Sequence, residues 1–599
     1  EAEFKIQAEP NFEISFHKIL KFRAAEFTLS LHKRYILKFR RSRRVKFHSA
    51  SKPLKTSAVA RADQILKFRA RRATSQIYTP QNFNRFSLRN LCRINRRGYI
   101  IANVIFHKGV SMATIQPSYK LFIDGEFVGA EGGASLDVFN PATGEKISKI
   151  ADASKADVDR AVAAARKAFE SFRRTSVYER SALLNKIADV LEQNAEFIAT
   201  VETIDNGKPI RETRAVDVAW SIEHFRYFAG VILGEEGSAN MLKERYLSVV
   251  LREPIGVVGQ IVPWNFPFLM GAWKLAPLLA AGDTCVFKPS SETSLSILEF
   301  IRLIAPLLPK GVINVVTGKG SKAGEFVRTH KGLDKLAFTG STEVGRGIAL
   351  AAAQKIIPAT LELGGKSANI IFDDCDFDVA IDGVQLGILF NQGQVCCAGS
   401  RIFVQEGIYD KFVPALVEKF KRIKVGDPLD PNTQMGCQIN KKQADKILEY
   451  VKIGVEEGAK IAVGGKRHSA GEAFVEPTLL VDVRNDMRVA QEEIFGPVGV
   501  VIKFKDQDEL VRMANDSLYG LGGAVFTRDI AKALTVARLL ETGRVWVNTY
   551  NQIHAGAPFG GYKESGIGRE THKMILDHYT QTKNIYIDTI SKPSGFYEQ

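Results

Sequence analysis

The chain has 599 residues, 45% hydrophobic and 25% charged, enough for three or four domains with an ample core and unlike a fibrous or disordered composition. Its formal charge of +16 invites a nucleic-acid partner, but residues 1–111 hold 25 Lys and Arg against 6 Asp and Glu, which leaves 57 against 60 for the rest, so the basic character belongs to the front segment alone. Six cysteines without Cys-x-x-Cys spacing or nearby histidines argue against a disulfide framework or a zinc site, and no apolar run reaches the length of a membrane span, so a metal-free protein of a reducing cytoplasm is expected.

Residues 1–111 repeat Ile-Leu-Lys-Phe-Arg at 19–23, 36–40 and 65–69. The spacing is irregular, so no solenoid is implied. Apolar and basic residues mix there without a sustained helical or strand period. We read the segment as a basic leader outside the folded protein, from upstream translation or an expression remnant. An organelle-targeting peptide and a nucleic-acid or membrane-surface arm are the alternatives. Removing it separates the cases, since an arm-driven binder would lose its ligand with a steep salt dependence.

From Leu121 the pattern changes. Residues 121–128 form a hairpin around Asp124-Gly125, a pair suited to a tight turn. Residues 140–145 are a loop. Residues 154–172 are an amphipathic helix with Ser154 as cap, Asp157 at the capping-box position, and Val158, Ala161, Val162, Ala165 and Phe169 on one face. Helices at 180–194 and 211–230 and a strand at 246–251 come next. Residues 255–362 alternate strand-like runs (255–262, 284–288, 313–316, 335–338, 359–361) with helix-like ones (268–281 and 341–353 among them), the pattern of a doubly wound parallel sheet. Such sheets bind ligands at the carboxyl ends of their strands.

Gly318, Gly320 and Gly324 are spaced one residue too widely for the usual dinucleotide fingerprint. Phe338-Thr339-Gly340-Ser341 ends a strand and opens a helix whose free N–H groups suit a phosphate. A plain strand-to-helix turn with a serine cap fits the same residues. Three stretches then offer complementary chemistry. Phe390 to Arg401 places Cys396 and Cys397 among glycines that leave room for an electrophile. Glu362 closes a strand before Gly364-Gly365. Asn265 sits between prolines and aromatics. Together they supply a nucleophile, a base and an oxyanion donor. Two buried core cysteines would explain the thiols equally well when that stretch is taken alone.

In these motifs, over residues 119–597, the chain resembles the aldehyde dehydrogenase superfamily in its NAD(P)-dependent, carboxylate-forming branch. Through the tail at 566–573 it most resembles bacterial acetaldehyde and related short-chain members. The resemblance implies an α/β fold: a Rossmann-like cofactor domain at 112–363, a catalytic domain at 364–560, and a return at 561–599. Residues 560–566, where the two meet, read as a flexible glycine-rich return. A small β arm built from strands near 244–252 and 583–588 would make a homodimer or homotetramer. It implies Cys396 as nucleophile rather than Cys397, Glu362 as base and Asn265 as oxyanion donor.

It further implies an NAD or NADP site from Ile261, Pro263, Trp264, Lys288, Ser291, Gly320, Gly324, Phe338, Gly340, Ser341, Gly345 and Leu363, with Glu493 at the nicotinamide ribose and Phe495 beside the ring. NAD-preferring relatives carry Glu where Ser291 stands, which leans the chain toward accepting NADP, although Glu292 is adjacent. Phe266, Met270, Trp273, Val395, Cys397, Ile553 and Phe559 would line a tunnel for a small apolar aldehyde. Glu362 argues against passing the acyl group to coenzyme A. The alternatives are a catalytically silent relative and the leader-driven nucleic-acid binder; neither nucleic acid nor membrane is an expected partner.

Overall fold

The computed structural model describes residues 115–598 and six short strands within residues 4–104. The chain falls into two units, Glu1–Met112 and Ala113–Gln599. In the first, strands Phe4–Ala8, Phe12–Phe16, Thr28–Leu31, Tyr35–Phe39, Cys92–Ile94 and Ile100–Val104 pair in one sheet. Backbone pairing therefore occurs where the side chains show no sustained alternation. Of the three repeats, residues 36–39 lie in a described strand; the other two lie outside the described residues.

The second unit carries two large α/β sheets. Strands β1 (Leu121–Ile123), β2 (Glu126–Val128), β3 (Val257–Ile261), β4 (Thr284–Lys288), β5 (Ile313–Val315), β6 (Lys335–Thr339) and β7 (Ala359–Glu362) lie in the order β7-β6-β3-β4-β5-β1-β2, with Gly566–Ile567 outside β7. Strands β3 to β7 are parallel. The chain runs outward from β3 through β4 to β5, then crosses back to lay β6 and β7 on the other side. The topological switch point therefore lies beside β3, where open sheets of this kind bind ligands. At the far edge, Asp124 (φ 53°) and Gly125 (φ 80°) turn β1 into β2, the left-handed pair a two-residue hairpin needs.

The second sheet contains β8 (Ala368–Ile371), β9 (Arg401–Gln405), β10 (Lys460–Val463), β11 (Thr478–Val481), β12 (Val498–Phe504), β13 (Gly522–Phe526) and β14 (Arg544–Val547), in the order β10-β11-β12-β9-β8-β13-β14. Only residues 363–367 separate β7 of the first sheet from β8 of the second. A third, antiparallel sheet of Ser238–Leu242, Tyr246–Pro254 and Thr580–Asp588 pairs Tyr246 with Asp588 through to Pro254 with Thr580.

Four helices frame the ends of these strands. Helix α1 (Lys155–Phe172) starts at a Ser154–Asp157 capping box and buries Val158, Ala161, Val162, Ala165, Ala168, Phe169 and Phe172. Such burial stabilises by about 1.5–3 kcal/mol per large side chain. Helix α2 (Pro267–Ala281) opens on a proline, which has no N–H to leave unpaired. All fifteen of its residues are buried, and it stops at Gly282 in the left-handed conformation. Helix α3 (Thr342–Lys355) is capped by the Ser341 side chain. Helix α4 (Phe377–Leu389) is capped by Asp376. Among the described residues no helix is long and apolar enough to cross a membrane.

Two expectations change. The helix expected over 211–230 is broken into Ile210–Glu212, a wide π-type stretch Thr213–Val218, and Ala219–Val231. The wide turns lie where Asp217 pairs with the buried Lys208 at 2.7 Å, a charge that needs a partner out of water. The glycine-rich stretch 560–566 is anchored rather than loose. Ser565 donates through Oγ to Gly364 O at 2.7 Å and accepts from Gly520 N at 2.9 Å, and Gly560 and Gly561 are buried.

Candidate active site

Three chain segments meet where the two large sheets adjoin. Asn265 follows β3 just before α2. Glu362 is the last residue of β7. Cys396 follows α4 after a turn in which Asn391 (φ 46°), Gln392 (φ 56°) and Gly393 (φ 71°) are successively left-handed. The segments are tied by direct bonds. Asn265 Nδ2 donates to Gln394 O at 2.9 Å, and Asn391 Nδ2 donates to Asn265 O at 2.8 Å. Asn391 N donates to the Glu212 carboxylate at 3.0 Å. A side chain at Gly365 would lie 2.4 Å from Cys396 O, and one at Gly364 would lie 2.5 Å from the Glu493 carboxylate. The two glycines thus let the strand end pass against both the thiol loop and the Glu493 loop.

Among the five cysteines whose burial is described, Cys396 alone is not fully buried. A hydrogen bond to the Cys397 thiol, burial, and the negative charges of Glu493 and Glu362 push the Cys396 thiol well above its ordinary range. At rest it is a thiol, and it needs a base to become a nucleophile. Cys397 is walled in: its Sγ faces Asn551 Oδ1 at 3.6 Å and its carbonyl accepts from Tyr550 OH at 2.9 Å. Burial first, and Glu570 second, hold the Glu362 carboxyl well above the usual carboxylate range, against the pull of Lys274 and Arg569. Neither Glu362 oxygen has a hydrogen-bond partner among the described residues.

The residues expected around a dinucleotide gather at the carboxyl ends of the parallel strands. Ile261 ends β3, and Pro263 and Trp264 follow it; Lys288 ends β4 and Ser291 follows it; Gly320–Gly324 is a wide turn after β5; Phe338 lies in β6, and Gly340 and Ser341 follow it into α3. Leu363 follows β7 and packs on Gly345, whose Cβ would lie 2.4 Å from its side chain. The first-turn N–H groups of α3 face outward without intrahelical acceptors, as a phosphate-binding end requires. Nothing lies within 4 Å of a side chain at the exposed Gly320. Lys288 is buried, its pKa pushed down to about 8 by burial, and its amine donates to Pro289 O at 2.9 Å. Glu292 is exposed and accepts weakly from Asn440 at 3.4 Å. Glu493 accepts from Gly365 N at 3.0 Å, and burial pushes it up to about 7. Phe495, at φ 61°, meets the Trp264 ring edge-on at 5.2 Å. These residues fit a dinucleotide: a helix N-terminus for phosphate, a carboxylate for a ribose and an aromatic pair beside the thiol loop.

The expected tunnel residues are all buried. Phe266, Met270 and Trp273 share one face at the start of α2. Phe559 meets Trp273 at 5.3 Å, and Phe390 meets Phe266 at 5.6 Å. Val395 and Cys397 flank Cys396, and Ile553 lies on the loop that carries Phe559.

Three groups escaped the sequence reading. Lys274 and Glu570 form a buried ion pair at 2.6 Å. A lysine in an otherwise wholly apolar helix was its signal, because a buried charge needs a partner. Lys366, in the turn after Gly365, is buried with no partner for its amine among the described residues, and burial with the nearby Arg401 pushes it down to about 7. Trp220 and His224 of helix Ala219–Val231 add to the tunnel side. Trp220 meets His554 at 5.8 Å and His224 stacks on Trp273 at 5.7 Å. Their spacing of four residues was the available sign.

Residues 127–585 match the sequence model of the aldehyde dehydrogenase family. The chain is 49% identical over 490 residues to an aldehyde dehydrogenase of Vibrio cholerae serotype O1, an alignment covering 80% of this chain and 96% of that one. An NAD+ complex of aldehyde dehydrogenase from Bacillus cereus superposes with a TM-score of 0.78 at 43% identity, covering 80% of this chain and 98% of the other. Betaine aldehyde dehydrogenase from Staphylococcus aureus in complex with NAD+ superposes at 0.79 and 41% identity, covering 81% and 97%. The chain belongs to the aldehyde dehydrogenase family and is an NAD(P)-dependent oxidoreductase of aldehydes.

Proposed function

We propose that the chain oxidises short-chain aliphatic aldehydes to carboxylic acids, with Cys396 as the nucleophile. The observation that carries this reading is the convergence of an accessible thiol, an unpartnered buried carboxyl and a side-chain amide at one sheet junction. Two carboxyls act on the Cys396 thiol. Glu493 is engaged by Gly365 N–H, whereas Glu362 has both oxygens unpartnered among the described residues, so Glu362 is the base assigned to water, and the Cys396 thiol gives its proton to solvent. The thiolate adds to the aldehyde carbon to give a thiohemiacetal. One Asn265 Nδ2 proton is committed to Gln394 O; the other, with the Cys396 N–H, holds the oxyanion. When bound, the nicotinamide accepts the hydride that leaves this carbon. A thioester on Cys396 remains. Glu362, its proton passed to solvent, then takes a proton from water as the water adds to the thioester. The acid leaves and the thiol is restored.

The dinucleotide would be held by Ile261, Pro263, Trp264, Lys288, Ser291, Gly320, Gly324, Phe338, Gly340, Ser341, Gly345, Leu363, Glu493 and Phe495. Ser291 presents no charge to a 2′-phosphate and Glu292 is drawn toward Asn440, which supports NADP being accepted beside NAD. The uncharged wall of Phe266, Met270, Trp273, Val395, Cys397, Ile553 and Phe559 supports a small, uncharged aldehyde. The cofactor domain at 112–363, the catalytic domain at 364–560 and the return at 561–599 would assemble as a cytoplasmic dimer or tetramer.

The test is a steady-state assay of acetaldehyde, propanal and betaine aldehyde with NAD and with NADP, following reduced cofactor. Turnover of the two alkyl aldehydes with kcat/KM above that for betaine aldehyde is the expected result. Preference for the cationic substrate would overturn the substrate assignment.

A further inference from the structure

Beside the residues expected to line the tunnel lie two buried nitrogens that nothing among the described residues satisfies. Trp273 Nε1–H and His224 Nε2 have no hydrogen-bond partner among the described residues, and both side chains are more than nine-tenths buried. Their rings stack at 5.7 Å with 29° between the planes. The His224 tautomer is set by its other nitrogen. Nδ1 lies 2.7 Å from Trp220 O, and a carbonyl can only accept, so Nδ1 carries the proton and Nε2 is left as an acceptor. The pair is therefore one donor and one acceptor, carried by two stacked rings. Burying either without a partner destabilises the fold, and neither is needed to hold the rings in place.

Both residues belong to the tunnel side. Trp273 shares a face of α2 with Phe266 and Met270 and meets Phe559 at 5.3 Å. His224 sits one helical turn after Trp220, which meets His554 on the opposite loop. The rest of the wall is hydrocarbon or aromatic, so a donor and an acceptor there select rather than merely tolerate.

We propose that Trp273 and His224 form a subsite for a hydroxyl on the aldehyde's tail, accepting from Trp273 Nε1–H and donating to His224 Nε2, so that hydroxyaldehydes are the preferred class. The inference rests on the dehydrogenase reading and sharpens its substrate. A hydroxyl is the smallest group with one proton to give and lone pairs to receive. A charged tail fits worse. Burial holds His224 down to about 4, so it is neutral at working pH and offers no countercharge, and the nearby Glu223 and His554 pair with each other at 3.3 Å.

The experiment compares aldehydes matched in size, with a hydroxyl in one member replaced by a methyl in the other. The hydroxyl is placed on the second, third and fourth carbon in turn. At one of these lengths kcat/KM for the hydroxyl member is expected to exceed that of its methyl partner by about tenfold or more, since a site built to pair a hydroxyl penalises the analogue that lacks it. Trp273→Phe keeps the ring and removes the donor; His224→Phe keeps the stack and removes the acceptor. Each should bring the ratio toward one. If His224→Phe does not fold, Trp273→Phe decides alone. A wild-type ratio at or below one at every length, or a ratio that Trp273→Phe leaves intact, overturns the subsite while the enzyme still oxidises alkyl aldehydes. Inertness toward every aldehyde would overturn the dehydrogenase reading itself.

Discussion

The two adjacent cysteines differ in what surrounds them, and that difference sets the first expectation. Cys396 is reachable and is acted on by two carboxyls, while Cys397 is enclosed by Asn551 and Tyr550. Cys396→Ala should lose aldehyde oxidation by a factor of about a thousand or more, and acyl trapping on the protein should vanish. Cys397→Ala should keep turnover within about tenfold of wild type, the loss coming from a small cavity. An active Cys396→Ala protein would reject the assignment. Glu362 carries a second expectation. Glu362→Gln should retain a first burst of reduced cofactor but slow steady turnover by about a hundredfold, because water loses its base. Loss of the burst as well would overturn this division of roles and make Glu362 the base for the thiol too. Stability moves the other way. The Glu362 pKa is raised in the folded state, so its contribution is fully present below the unfolded value near pH 4.5 and is lost as pH rises through the folded value. The Tm of Glu362→Gln relative to wild type should therefore climb as pH rises above about 4.5, and a flat difference would count against a buried, ionising carboxyl.

At the scale of elements, the thiol loop is held from outside itself. Asn391 and Gln392 adopt left-handed backbone, which costs a non-glycine residue about 1–2 kcal/mol each. The Glu212 carboxylate fixes that turn through Asn391 N, and Asn391 Nδ2 in turn supports Asn265. Burial pushes Glu212 up to about 7, against the pull of Asn391 N–H and Lys208. Glu212→Ala should lower kcat about ten- to a hundredfold and leave KM for the dinucleotide nearly unchanged. Glu212→Gln, which still offers an acceptor, should recover most of the loss. Equal effects of both variants on kcat and on dinucleotide KM would reduce Glu212 to a general stabiliser. This contact was invisible in the sequence, because Glu212 lies well over a hundred residues from Asn391 in a segment that reads as plain helix. The π-type stretch beside it was missed for the same reason: a wide turn has no side-chain period of its own, and it occurs where Asp217 meets Lys208 in the folded state. What was legible were features encoded within a few residues, such as the Ser154 capping box, the Asp124-Gly125 turn, the five parallel strands and the serine opening α3. The ion pair of Lys274 with Glu570 joins residues 296 positions apart in the chain, so only one half of it could be suspected from local sequence.

Among the described residues of the second unit, the third sheet stands out for its exposed edges. Ser238–Leu242 is exposed along its length, and Thr580–Asp588 forms the other edge with Ile585, Tyr586 and Ile587 all exposed. Met241 and Leu242 on the first edge and Leu251 on the middle strand add further exposed apolar surface. A three-stranded sheet with an open hydrogen-bonding edge and large apolar side chains is a template for pairing with another chain unless something covers it. Tyr246 stacks near Tyr586, and Arg245 pairs with Asp588, so the far end of the arm is held in shape by its own contacts. The arm is thus rigid enough to present that surface, and a second copy of the chain is the cover that a symmetric assembly supplies. Replacing Ile585 and Ile587 together by Asp should therefore shift the protein to a smaller species in light scattering, with the reaction chemistry at Cys396 retained in the fraction that stays folded. Unchanged molar mass in that double variant would show that the arm does not carry the assembly and that its apolar residues are covered in some other way.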